Sequence, residues 1–213
     1  MDNGAPPDTD EARRRYRDLA RHYDRSIRLI NPLRRRVIER LNLSEGDHVL
    51  DMGSGTGASF DALHRAVGPS GRVTGVELSD EMAAVARQRI ADHGWTNVDV
   101  VVGDATTAPL PNGVDGILFF LVHDITRIPA VVERAITAGR PGATVAALGP
   151  VTAPRWAVPV NLIVRAIARR YITTFEGFDK PWSHLAKAIP GLHVRRILGG
   201  GVYLATGQVE RDA

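Results

Sequence analysis

The stretch VLDMGSGTGAS, residues 49–59, constrains this chain more than any other. An apolar run carries an acid, Asp51, and passes directly into glycines at 53, 55 and 57. Glycines at that spacing let the backbone come close to a ligand, because no Cβ stands in the way. Read from Gly53 with Ala58 in the last place, the pattern is G-x-G-x-x-A, an acceptable dinucleotide fingerprint. Read from Asp51 it is D-x-G-x-G-x-G, which suits a different nucleotide-like cofactor. The turn alone leaves both readings open.

Its surroundings define the fold class. HVLDMG (48–53), RVTGVELS (72–79), VDVVVGDA (98–105), GVDGILFFLV (113–122) and ATVAALG (143–149) read as strands. The fourth is continuously apolar, as a strand buried on both faces must be. Helical periodicity lies between them: 57–67 with Phe60, Leu63 and Val67 on one face, 80–93 capped by Ser79, and 126–138. GPSG (68–71) and GRPG (139–142) read as turns. This alternation predicts an α/β, doubly wound, mostly parallel sheet with its ligand site beyond the carboxyl ends of the strands. Asp51, Glu77, Asp104 and His123 all fall at such ends.

The last third departs from a dinucleotide-binding pattern. LHVRRIL (192–198) and VYLATGQV (202–209) are joined by three glycines and read as a hairpin, giving seven strands with an antiparallel finish. A short helix precedes it within PWSHLAKAIPG. Residues 10–43 predict two further helices divided near Asn31-Pro32, and 159–172 has helical character. The 213 residues read as one domain: a tail over 1–9, lid helices over 10–45, a core over 46–150, a cap over 151–180, and a closing helix and hairpin over 181–213.

Composition excludes several classes. There is no cysteine, hence no disulfide, thiolate zinc site or cysteine nucleophile. The polar, acidic N-terminus is no secretory leader, and no apolar run approaches the roughly 20 residues of a membrane span. A soluble, cytoplasmic protein is expected. The net charge of +3 hides basic flanks (11–40 and 151–213) around an acidic centre. No nucleic-acid module or stacking pattern accompanies the basic runs, which read as solvated helix faces. Monomer and homodimer are both compatible with the sequence.

Charge helps choose the cofactor. A pyrophosphate wants bare N–H groups and a helix N-terminus, and an aspartate two residues before the first glycine is a poor neighbour for it. S-adenosyl-L-methionine has no phosphate; its sulfonium and ammonium groups make Asp51 favourable. Glu77 suits the ribose hydroxyls of either cofactor, and Asp104 an adenine amino group. A short-chain dehydrogenase would need a Tyr-x-x-x-Lys pair, yet the chain has only Lys180 and Lys187.

VLDMGSGTG, GVELS, GDATTAPLP, GVDGILFFLVHDI and GRPGATVAALG, in that order, resemble the motifs of class I S-adenosylmethionine-dependent methyltransferases. The opening RYRDLARHYDRSI resembles the closing helix of the quinone-biosynthesis and small-molecule members. The resemblance implies cofactor roles for Asp51, Gly53, Gly55, Gly57, Glu77 and Asp104, with Ser54, Leu78 and Phe120 beside them and Ala105 flanking the adenine. Tyr16 and Tyr23 match aromatic positions of the closing helix. The fourth-strand motif, Val122-His123-Asp124, departs from the commoner paired form.

Methyl transfer is an in-line displacement, so alignment and desolvation do most of the work. Where the acceptor oxygen, nitrogen or carbon must lose a proton, His123 is the candidate base, with Tyr23 and His22 able to enter from the lid. Trp156, Tyr171, Phe175, Phe178 and Trp182 crowd the 152–184 segment and are candidate walls, with His123, for a flat or greasy acceptor. The expected acceptor is a small aromatic or natural-product-like molecule, and the product of the donor is S-adenosyl-L-homocysteine. A lipid-like acceptor, with the basic stretch 155–172 on a membrane surface, is less favoured because the apolar face of that stretch is needed to close the core. A protein that binds the donor without turnover is the third reading.

Overall fold

The computed structural model describes residues 30–154, 156–169, 175 and 177–210. Seven strands, β1 His48–Met52, β2 Arg72–Glu77, β3 Val98–Val102, β4 Val114–Phe120, β5 Gly139–Pro150, β6 His193–Ile197 and β7 Val202–Gln208, form one sheet in the order β3-β2-β1-β4-β5-β7-β6. The first five run parallel. β7 returns antiparallel beside β5 and β6 antiparallel beside β7. The expected parallel sheet with a hairpin finish is the observed one.

Side-chain alternation along the central strands divides the core into two faces. Leu50, Met52, Ile117 and Phe119 pack on one side with Val131, Val132 and Ala135 of α5 (Pro129–Ala138) and Leu185 of α7 (Ser183–Ala188). Val49, Leu118 and Phe120 pack on the other with Val37, Ile38 and Leu41 in and after α1 (Asn31–Glu39), and Phe60, Leu63 and Val67 of α2 (Phe60–Val67). β4 is buried from Gly116 to Phe120, which explains the apolar run that follows Asp115. α3 (Asp80–His93) starts where Ser79 Oγ accepts from Met82 N at 3.3 Å and stops at Gly94 in the left-handed conformation.

Several boundaries differ from the sequence reading. α2 begins at Phe60 rather than 57, because Gly53, Gly55 and Gly57 all take positive φ and hold the preceding segment as a loop. The helix expected over 126–138 is two: α4 (His123–Thr126), then α5 starting on Pro129, whose missing N–H suits a first turn. The turn expected at 139–142 belongs to β5; Gly139 pairs with Val114 across an irregularity, and Gly142 N donates to Val209 O at 2.8 Å. β2 ends at Glu77, so Leu78 and Ser79 already lead into α3. α6 runs Val158–Ala168, short of 172. Of the two N-terminal helices, the second is α1, and the first lies outside the described residues.

Phe60 seats α2 on the sheet: it is fully buried, and a Cβ on Gly75 of β2 would fall 2.7 Å from its ring. Phe60→Ala leaves a ring-sized void there and is expected to cost about 3–5 kcal/mol, read as a lowered urea midpoint at unchanged slope.

Candidate functional site

The carboxyl ends of β1, β2, β3 and β4 bring the predicted polar residues to one end of the sheet. Immediately after β1 the chain turns sharply. Gly53 N and Ser54 N both donate to Val76 O of β2, at 2.8 and 3.0 Å. Gly53 has φ +70, and a Cβ there would lie 2.5 Å from Val122 Cγ1, so no other residue fits without moving the β4 end.

Glu77, buried at the end of β2, braces this turn. Its Oε2 accepts from Gly55 N and its Oε1 from Ser79 N, both at 2.8 Å. Burial raises its pKa; the N–H groups of Ser79, Gly55 and Leu78 oppose that rise. The acid therefore ties the glycine turn to the start of α3, and each carboxylate oxygen has further acceptor capacity beyond these bonds.

Asp51 is in a different position. Burial pushes its pKa up to about 7, against the Arg34 guanidinium, and the neighbouring Glu77 pushes the same way as burial. Its Oδ2 is buried and has no hydrogen-bond partner among the described residues; neither does Ser54 Oγ. A buried acceptor without a donor is costly, so this corner is chemically set to receive a cationic donor group.

Sequence reasoning missed Arg34. It was counted among the solvated arginines of a basic flank, yet it is buried, hydrogen-bonded to Asn31 Oδ1, and has its guanidinium 4.7 Å from the centre of the Phe120 ring. The available signal was spacing: Arg34 stands three and four residues before Val37 and Ile38, on the apolar side of α1. Phe120, expected beside the cofactor, packs between Arg34 and the α1 side of the core.

Beyond β3, Asp104 Oδ1 accepts from Thr106 N at 2.8 Å and Thr106 Oγ1 at 2.7 Å, so it shapes its own turn. The carbonyl of Ala105 accepts from Arg134 of α5, as does that of Ala108 at 2.7 Å. Arg134, another residue not singled out from sequence, thus pins the loop expected to flank an adenine.

After β4, Leu121 takes φ +60, an uncommon conformation for a residue with a side chain, and the chain turns into α4. His123 begins that helix. It is buried and meets Phe178 edge-on with ring centres 5.2 Å apart; Phe175 meets Phe178 in the same way at 5.2 Å. The structure therefore brings Phe175 and His123 into one aromatic cluster through Phe178. It does not bring Trp156 there: that ring is 80% exposed. Trp182 packs instead on Tyr203, with Arg196 over its ring. Tyr16, His22, Tyr23 and Tyr171 lie outside the described residues. Among the described residues no cluster of His, Asp and Glu could hold a metal ion.

Residues 49–142 match the methyltransferase domain family. With the β3-β2-β1-β4-β5-β7-β6 sheet and its acidic strand ends, the chain has the fold of the class I S-adenosylmethionine-dependent methyltransferases. More particularly, it is similar to demethylmenaquinone methyltransferases. It is 29% identical to that of Anoxybacillus flavithermus over 140 residues, 62% of this chain and 59% of the relative. It is 33% identical to that of Geobacillus stearothermophilus over 102 residues, 46% of this chain and 44% of the relative. The chain thus spans about half the length of the curated relatives it matches. A methyltransferase structure from Aquifex aeolicus shares the fold with a TM-score of 0.61 at 22% identity, over 95% of this chain and 98% of that one.

The unfolded chain releases the Asp51 proton near 3.8, the folded chain near 7. Between those values the folded state holds the extra proton, so this group lowers stability as pH rises and levels off above about 7. Urea midpoints measured from pH 5 to 8 should carry that falling component, and Asp51→Asn should remove it.

Proposed function

We propose that the chain transfers a methyl group from S-adenosyl-L-methionine to an oxygen, nitrogen or carbon of a small, aromatic or natural-product-like acceptor. The observation that carries this reading is the buried Asp51 Oδ2, left without a donor beside a bare glycine turn, with the Arg34 charge opposing the rise in its pKa. That set fits an amino-acid end: Asp51 would take the ammonium, Arg34 the carboxylate, and Glu77 the ribose hydroxyls through its remaining lone pairs. Asp104 and Ala105 would border the adenine. The donor supplies an electrophilic methyl on sulfonium sulfur. The chain's own part is to fix both partners in line and keep water away.

On the acceptor side, His123, Phe175 and Phe178 form an apolar wall at the β4 end, and His123 would take a proton from the acceptor atom. A quinone precursor is the second reading for the acceptor, favoured by the similarity to demethylmenaquinone methyltransferases. A screen of methyl-donor consumption against phenols, amines and demethylated quinones separates the two acceptors. A protein that only binds the donor would consume none under any acceptor.

Three outcomes are expected. Calorimetric titration with S-adenosyl-L-homocysteine should show tighter binding at pH 8 than at pH 5, with a proton released on binding at pH 6, because the ammonium pairs with ionised Asp51. Arg34→Met should weaken that binding by about ten- to hundred-fold. His123→Ala should lower kcat by about a hundred-fold or more at unchanged cofactor affinity; unchanged turnover would remove it as the base.

A further inference from the structure

We propose that the face made by α6 and the turn between β6 and β7 docks on an anionic lipid surface. All the large apolar side chains that stand exposed among the described residues belong to it: Trp156, Val158, Leu162 and Ile163, with Leu198 in the turn. Leu162, Ile163 and Leu198 are 67%, 60% and 65% exposed. The sequence reading had reserved the apolar face of this helix for the core. In the fold only part of it is used that way, since Val160 and Val164 pack on the glycine turn. A Cβ on Gly201 would lie 2.7 Å from both, and one on Gly199 would lie 3.1 Å from Val160. Ile163 is on the outside.

The turn itself is built to present Leu198. That residue takes φ +50, a conformation disfavoured for any side chain, and Gly199 and Gly200 follow at +67 and +86. Such strain, kept to hold an apolar side chain in water, has no packing return within the described fold.

Charge identifies the occupant. Arg165 of α6, Arg169 immediately after it and Arg195 of the edge strand β6 are exposed. No acid occurs in residues 151–175 or 181–209. Among the described residues between 151 and 209 the one acid is Asp179. An exposed tryptophan, short aliphatic side chains and flanking arginines match the headgroup region of an anionic bilayer, where apolar groups enter the acyl boundary and guanidinium groups meet phosphates. A second copy of the same face would instead set arginine against arginine.

The location has a consequence. Val202, the first residue of β7, pairs with Pro150, the last of β5, so the turn lies at the sheet end that carries Asp51 and the glycine turn. Docking there would set the acceptor side toward the lipid. The inference does not rest on methyl transfer and is tested without turnover.

The test is flotation of the full chain with vesicles of phosphatidylcholine alone or mixed with phosphatidylglycerol. Partition into the anionic vesicles should exceed that into the neutral ones by about ten-fold and fall steeply with salt. Leu162→Ser with Ile163→Ser should lower it by about ten-fold at an unchanged melting temperature, since both side chains already face water. Equal partition into both vesicle types at low salt would overturn the proposal. So would a sedimentation dimer of the native chain that the double variant converts to monomer, because the face would then be a contact between copies. A chain that floats but fails to bind S-adenosyl-L-homocysteine would sink the cofactor reading and leave this one standing.

Discussion

Two carboxylates are buried under one glycine turn, and most of the site's design follows from how each is tolerated. Glu77 is held by backbone N–H groups of Gly55, Leu78 and Ser79, so its negative charge is distributed into the turn and into the first turn of α3. Asp51 has no such cradle. It leans on the Arg34 guanidinium and remains only partly compensated, with its pKa near neutrality and one oxygen without a donor. The pair thus leaves an electrostatic deficit confined to one corner. A cationic group arriving there gains more than it would at a carboxylate in water, since the desolvation of Asp51 is already part of the folded state.

That arrangement gives α1 two jobs. Val37 and Ile38 close one face of the core, while Arg34, one turn earlier on the same side, lies over Phe120 and opposes the rise in the Asp51 pKa. Packing and charge compensation are therefore carried by a single helix. Movement of α1 would disturb both the hydrophobic seal over β4 and the balance at Asp51. The aromatic cluster at the β4 end is organised differently. The Leu121 kink brings His123 inward, and Phe178 and Phe175 reach it from the segment after β5.

Much of this was legible from residue patterns. The strand-helix alternation, the Ser79 cap, the antiparallel finish and the acids at the strand ends are local signals, since each depends on period, turn chemistry or a cap. What escaped depended on partners far away in the chain. Arg34 looked like one more arginine in a basic run because its burial is decided by β1 and β4. Trp156 looked like an acceptor wall by aromatic composition, but composition does not say which face of a segment meets the core. The 139–142 segment has the residues of a turn, yet pairing with Val114 and Val209 draws it into β5. The split between α4 and α5 is written locally, in Pro129.

The sequence by itself determined the doubly wound sheet, the glycine turn after β1 and the acidic residues that border it, because backbone freedom, alternation and strand-end position are properties of a few neighbouring residues. Only the tertiary structure decided which charges meet. It set Arg34 against Asp51 and Phe120, gave Glu77 to the backbone rather than to solvent, and left the outer side of α6 with its leucine and isoleucine in water. Burial and charge pairing are sums over segments distant in sequence, and no local pattern contains them.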